Sequence, residues 1–177
     1  MQEFGESVLI GVVLDISTTH PDGIQTLKTI KDSLLQYMIE TQPYTNIYIS
    51  HPEVKELPKD QGQSTYLLAT YSHPSNLNID KLFKEAIIKV GNSRHDGPKY
   101  VILFTNKFQA PLNQLYRKAF MANEIRGYNT KVCIVGIGSV YDEKSLKSLA
   151  NEYNTNFFHV SNFESLSESI KTMVGMS

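Results

Sequence analysis

The sequence alternates between short, unbroken apolar runs and longer stretches whose apolar residues recur at helical spacing, and few folds accept that rhythm. Val8-Leu9-Ile10-Gly11-Val12-Val13-Leu14 contains no polar side chain. Such a run suits a strand covered on both faces, which means a parallel sheet between helix layers. Tyr100-Val101-Ile102-Leu103-Phe104 and Val132-Cys133-Ile134-Val135-Gly136-Ile137 read the same way. Phe157-Phe158-His159-Val160 is a shorter, later strand, and residues 65–71 hold a further one with a mixed pattern.

Between these runs the apolar positions step by three and four. Ile24, Leu27, Ile30, Leu34, Leu35 and Met38 form one such set, and Ile79, Leu82, Phe83, Ala86, Ile87 and Val90 a second. Leu112, Leu115, Tyr116, Ala119 and Phe120 mark a third helix; Leu146, Leu149 and Tyr153 mark a fourth. The last helix opens on a capping-box pattern, Ser161-Asn162-Phe163-Glu164, and turns Phe163, Leu166, Ile170 and Val174 inward. The expected fold is α/β and doubly wound: a mostly parallel, six-stranded sheet between two helix layers, with right-handed crossovers. Residues 1–177 are read as one domain, since a chain of this length can bury roughly 70% of its unfolded surface. The polar, proline-bearing residues 50–64 are expected to be an excursion within it.

Seventeen Lys and Arg against 18 Asp and Glu leave a formal charge of −1, so neither nucleic acid nor an anionic membrane is expected as partner. The longest apolar runs are about seven residues, far short of the roughly 20 that a membrane-spanning helix needs. Cys133 is the only cysteine, which excludes a disulfide framework and a Cys-based zinc site within the chain. The first residues, Met1-Gln2-Glu3-Phe4-Gly5-Glu6, carry no basic segment of a secretory signal. A cytoplasmic location is expected, although a domain cut from a larger secreted protein would read alike.

In open parallel sheets ligands gather beyond the carboxyl ends of the strands. The first strand delivers Asp15-Ile16-Ser17-Thr18-Thr19, and His20-Pro21-Asp22 then opens a helix, with proline suited to its first turn. One carboxylate and up to three hydroxyls thus share one loop. The strand at residues 100–104 delivers Thr105-Asn106-Lys107, and Ser72-His73-Pro74-Ser75 follows Tyr71.

These residues resemble the von Willebrand factor type A domain. That family's metal-ion-dependent adhesion site begins with Asp-x-Ser-x-Ser after the first strand, and Asp15, Ser17 and Thr19 match it with a hydroxyl kept at the third position. Its last element is an aspartate after a strand similar to Val101-Ile102-Leu103-Phe104-Thr105; here Asn106 stands there. Lys131-Val132-Cys133-Ile134-Val135-Gly136-Ile137-Gly138 resembles its fifth strand, and Phe158-His159-Val160-Ser161-Asn162-Phe163-Glu164-Ser165-Leu166 its closing strand and helix. The likeness spans nearly the whole chain and rests on the order of the motifs together.

The resemblance implies a protein-binding module without enzymatic activity. Its face would carry Asp15, Ser17, Thr19, Ser75 and Asn106, with Ser75 where the family places a threonine. Mg²⁺ or Mn²⁺ would be the cofactor, and no nucleotide is expected. Mg²⁺ demands six oxygens near 2.0–2.1 Å. Hydroxyls ligate without adding charge, so the ion stays electrophilic and an acidic side chain of the partner can complete its shell. Asn106 removes a negative charge from this scheme and Lys107 adds a positive one, which weakens ion binding. If no ion is held, the same loops would form a metal-free surface on which Lys107 attracts an acidic partner directly, flanked by His20 and His73. The resemblance further implies an antiparallel edge strand. Ser75 reaches the site if residues 65–71 run parallel to the first strand with residues 46–50 as the edge.

Plainer readings stand beside this one. Asp15 can cap backbone N–H groups of the following helix, and Thr105-Asn106 can be ordinary turn chemistry. His20 and His73 could hold a transition metal with Asp15. Gly136-Ile137-Gly138 begins a dinucleotide fingerprint, but Tyr141 occupies the position of its third glycine. His159 is expected to pack at a strand edge, and Cys133 to be an inert buried thiol. The enzymatic alternative is a Mg²⁺-dependent phosphatase similar to the haloacid dehalogenases, with Asp15 as nucleophile. Ser17 stands where that scheme needs a second, proton-shuttling aspartate.

Overall fold

A computed structural model of the chain describes residues 8–16, 25–26, 28–30, 32–34, 46–50, 68–71, 79–94, 97–106, 112–137, 143–160, 168–170 and 172. The three unbroken apolar runs are its central strands. β1 (Leu9–Asp15) buries every residue. β4 (Lys99–Thr105) and β5 (Thr130–Ile137) are buried apart from one residue near the start of each. Strands covered on both faces need apolar side chains at consecutive positions, which accounts for the missing alternation.

β2 (Asn46–Ser50), β3 (Leu68–Tyr71) and β6 (Asn156–Val160) complete the sheet. The strands run in the order β3-β2-β1-β4-β5-β6, and every adjacent pair is parallel. The chain therefore moves outward from β1 on one side, returns, and moves outward from β4 on the other. The doubly wound α/β expectation is met.

Of the two conditions under which Ser75 would reach the site, the one that makes residues 46–50 the edge is not met: β2 lies between β1 and β3, and β3 is the edge. Residues 68–71 do run parallel, and no antiparallel pair occurs among the described strands. Strands of five and four residues offer too few positions to separate an inner strand from an outer one.

Odd and even positions of the central strands feed two different cores, as strand geometry requires. Leu9, Val13, Val101, Leu103, Val132 and Ile134 pack under α1 (Ile79–Asn92), α2 (Leu112–Ile125) and α3 (Glu143–Glu152). Ile10, Val12, Leu14, Ile102, Phe104 and Val135 pack on the other face with Ile30, Leu34 and Ile170. Fully burying an aliphatic or aromatic side chain contributes about 1.5–3 kcal/mol, so each layer is anchored by many such terms. The capping box at residues 161–164 lies outside the described residues.

Helix ends follow local chemistry. Gly127, at φ 64°, ends α2: the Tyr128 N–H donates to the Asn123 carbonyl and the Gly127 N–H to that of Glu124. That double bond pattern needs a left-handed residue, which glycine adopts without penalty. The Lys99 ammonium donates to the carbonyls of Gly91 (3.2 Å) and Ser93 (2.8 Å), placing a cation at the carboxyl end of α1. The α1 helix lies so close to the sheet that a Cβ on Gly11 would sit 2.7 Å from Val90 Cγ2.

Candidate functional site

β1 and β4 are neighbours from which the chain departs in opposite directions, and a crevice forms beyond the carboxyl ends of such a pair. Their register ends on Asp15 opposite Thr105. Asn106 follows directly and is half-buried at the rim. The fold thus sets Asp15, Thr105 and Asn106 side by side at the switch point. Ser17, Thr19, His20, His73, Ser75 and Lys107 lie outside the described residues.

Asp15 occupies an odd position on β1, so its side chain enters the layer of α1 and α2 together with Leu9 and Val13. It is only 4% exposed. A buried carboxylate is costly unless it receives hydrogen bonds. The phenol of Tyr116, on α2, donates to Asp15 Oδ2. Tyr116 Oη also lies 3.1 Å from Thr105 Oγ1. Because the phenol's one proton is on the carboxylate bond, the Thr105 hydroxyl supplies the proton for this second contact.

The Tyr116 ring is fixed by an edge-on contact with Phe83 of α1, the centroids 5.8 Å apart and the planes at 78°. Phe83 in turn meets Phe120 edge-on at 5.7 Å. These aromatic packings aim the hydroxyl at the end of β1. Burial, and then the negative charge of Asp15, push the Tyr116 phenol well above its ordinary range, so it stays a proton donor at neutral pH.

Sequence reasoning missed Tyr116 as a site residue and placed it in the core of α2. The signal was present: a tyrosine on an apolar helical face needs a partner for its hydroxyl. Its partner is 101 residues away in sequence, and only the sheet topology brings them together.

Among the described residues, Asp15, Thr105 and Asn106 offer side-chain oxygens at this rim, which suit hard cations such as Mg²⁺ and Mn²⁺ over soft ones. Among the described residues no group of three His, Cys, Asp or Glu side chains is gathered. Cys133 is buried in the other core layer, where desolvation pushes its thiol up to about 11. A separate cavity of about 270 Å³ opens at the opposite rim, where Thr130 and Asn156 begin β5 and β6. Among the described residues no helix is long and apolar enough to cross a membrane.

Residues 28–172 match the profile of the von Willebrand factor type A domain. Solved structures with the same fold include the ArnB paralog VWA2 from Sulfolobus acidocaldarius (17% identity, TM-score 0.58), covering 92% of this chain and 44% of that one. The proximal thread matrix protein 1 of the mussel byssus, solved with zinc in its metal-ion-dependent adhesion site, is 13% identical with a TM-score of 0.56. That likeness covers 97% of this chain and 46% of the byssus protein. The pilus adhesin SpaC from Lactobacillus rhamnosus GG is 10% identical with a TM-score of 0.60, covering 99% of this chain and 31% of the adhesin. At these identities the likeness shows the fold, and this chain spans less than half the length of each neighbour. Among curated proteins no sequence relative reaches significance.

Proposed function

Because the chain belongs to the von Willebrand factor type A domain family, we propose that it is a protein-binding module whose contact face is the rim beyond β1 and β4. The observation that carries this reading is the buried carboxylate of Asp15 beside Thr105 and Asn106 at the switch point of the sheet. Asp15, Ser17, Thr19, Ser75 and Asn106 are the residues that would hold a divalent ion there, with Mg²⁺ or Mn²⁺ fitting their hard oxygens. Such an ion supplies an electrophilic position that a carboxylate of the partner completes. Asp15 contributes the negative charge from beneath the rim, and the hydroxyls of Ser17 and Thr19 contribute neutral oxygens. His20, His73 and Lys107 flank the contact.

Binding rather than catalysis suits the state of Asp15. A nucleophilic carboxylate must present an oxygen to phosphorus, whereas Asp15 is 4% exposed and holds the phenol of Tyr116 on Oδ2. The adhesin and matrix proteins among the structural neighbours agree with an interaction role. A lone buried thiol suits a reducing compartment, and a cytoplasmic location belongs to the proposal.

Calorimetric titration with Mn²⁺ tests the ion. Heat from the wild type that vanishes in Asp15→Ala supports the reading. Equal heats from both proteins overturn it and leave Lys107 on the same loops as an ion-free contact for an acidic partner, which Lys107→Glu would abolish.

A further inference from the structure

The cavity of about 270 Å³ at the rim opposite Asp15 has walls of one electrostatic character. α2 runs back from the end of β4 to the start of β5, and α3 from the end of β5 to the start of β6. Both helices therefore end at this rim, and the carboxyl end of a helix carries a partial negative charge. Glu124, near the end of α2, adds a full one to the wall. Lys131 also lines the cavity. Alternation along β5 sets its side chain on the face of Cys133 and Val135, away from α2 and α3.

Two oxygens of this wall are unmet. Thr130 is 7% exposed and shares its face of β5 with Val132 and Ile134, beneath the helices. Asn123 Nδ2 donates to the Thr130 carbonyl at 3.3 Å. Among the described residues neither Asn123 Oδ1 nor Thr130 Oγ1 has a hydrogen-bond partner, and both atoms are buried. Unmet buried acceptors are costly, and a guest bearing N–H groups relieves both once these side chains turn toward it. Phe120 and Tyr153 add stacked rings to the lining, their centroids 5.1 Å apart and their planes at 24°.

Unmet acceptors, negative helix ends, a carboxylate and aromatic rings together select a planar cation with several N–H groups. A guanidinium meets each demand, since it stacks on aromatic faces and offers five N–H donors in a plane. An ammonium offers only three around a point charge. We propose that this cavity binds a guanidinium group on a short alkyl arm. Its volume lies just under the roughly 300–1,000 Å³ of pockets for drug-sized ligands, so the guest is small. The site is independent of any ion at the Asp15 rim.

Titration of the isotope-labelled protein with ethylguanidinium, followed by amide NMR shifts, tests the proposal. Ethylurea serves as the neutral planar probe, and N-acetylarginine methylamide as the probe for a peptide-borne group. Saturable shifts are expected at residues 130–131 and 154–156, which line the cavity. Ethylurea should bind at least about tenfold more weakly, because its hydrogen bonds lack the charge. Thr130→Val removes one unmet oxygen at nearly constant shape and is expected to weaken ethylguanidinium about tenfold, with circular dichroism checking the fold. Glu124→Gln, at an exposed position, should weaken it severalfold and flatten its dependence on salt. Should Thr130→Val fail to fold, Glu124→Gln carries the test. Tighter binding of the blocked arginine supports the proposal with a partner's side chain as the source; binding of ethylguanidinium alone supports it with a free small molecule. Ethylurea binding as tightly as ethylguanidinium, or folded variants with unchanged affinity, overturns it. An absence of saturable shifts leaves a water-filled notch and overturns it as well.

Discussion

The phenol of Tyr116 on α2 donates a hydrogen bond to Oδ2 of Asp15 at the end of β1, joining the helix layer to the switch point of the sheet. Both side chains are buried, so losing the donor leaves a carboxylate short of a partner. Tyr116→Phe is expected to destabilise the fold by about 1–3 kcal/mol, the cost of an unmet buried polar group. Urea unfolding of the two proteins checks this.

The same bond makes stability depend on alkaline pH. Tyr116 is held neutral in the fold by burial and by the Asp15 charge, and its folded pKa lies well above that of the unfolded chain. The unfolded chain therefore ionises first. Its contribution is fully present below about pH 10, the ordinary tyrosine value, and is lost as pH rises from there toward the folded value. Other tyrosines titrate nearby, so the expected result is a difference: between pH 10 and 11.5, roughly, stability falls more steeply in the wild type than in Tyr116→Phe.

Much of this architecture is legible in the residues themselves. The run at residues 8–14 announces a doubly covered strand because it lacks any polar interruption, and β1 is buried throughout. Leu82, Phe83, Ile87 and Val90 recur at helical spacing, and α1 buries all four. Two things are not legible. The order of β2 and β3 depends on pairings between short strands whose patterns carry no edge signal. The partnership of Tyr116 with Asp15 depends on where α2 crosses the sheet, which no local pattern encodes.

Close packing at the end of α1 gives a steric prediction. A Cβ on Gly91 would lie 2.4 Å from the ring of Tyr128, whose hydroxyl is anchored on Asn92 Oδ1 at 2.8 Å. The ring cannot retreat without breaking that bond. Gly91→Ala is expected to lower stability by about 1–3 kcal/mol despite alanine's better helix propensity, because overpacking outweighs it. Thermal unfolding reads the sign directly.

The lone thiol is expected to be silent. Desolvation raises the Cys133 pKa to about 11, against a smaller opposing pull from Lys131, and the side chain is 2% exposed. The thiolate is the reactive species. A disulfide reagent at neutral pH should modify none of the native protein within minutes and all of it in denaturant. Rapid modification of the native chain would mean that β5 is less covered than described.

The most direct measurement is a crystal structure grown in saturating Mn²⁺, read for anomalous scattering from the metal. The account predicts one peak beyond the carboxyl ends of β1 and β4, within ligand reach of the Ser17 and Thr19 hydroxyls, with Asp15 still accepting from Tyr116 and approaching through one oxygen or a water. A rim without a peak, with Ser17 and Thr19 turned away from Asp15, would contradict it.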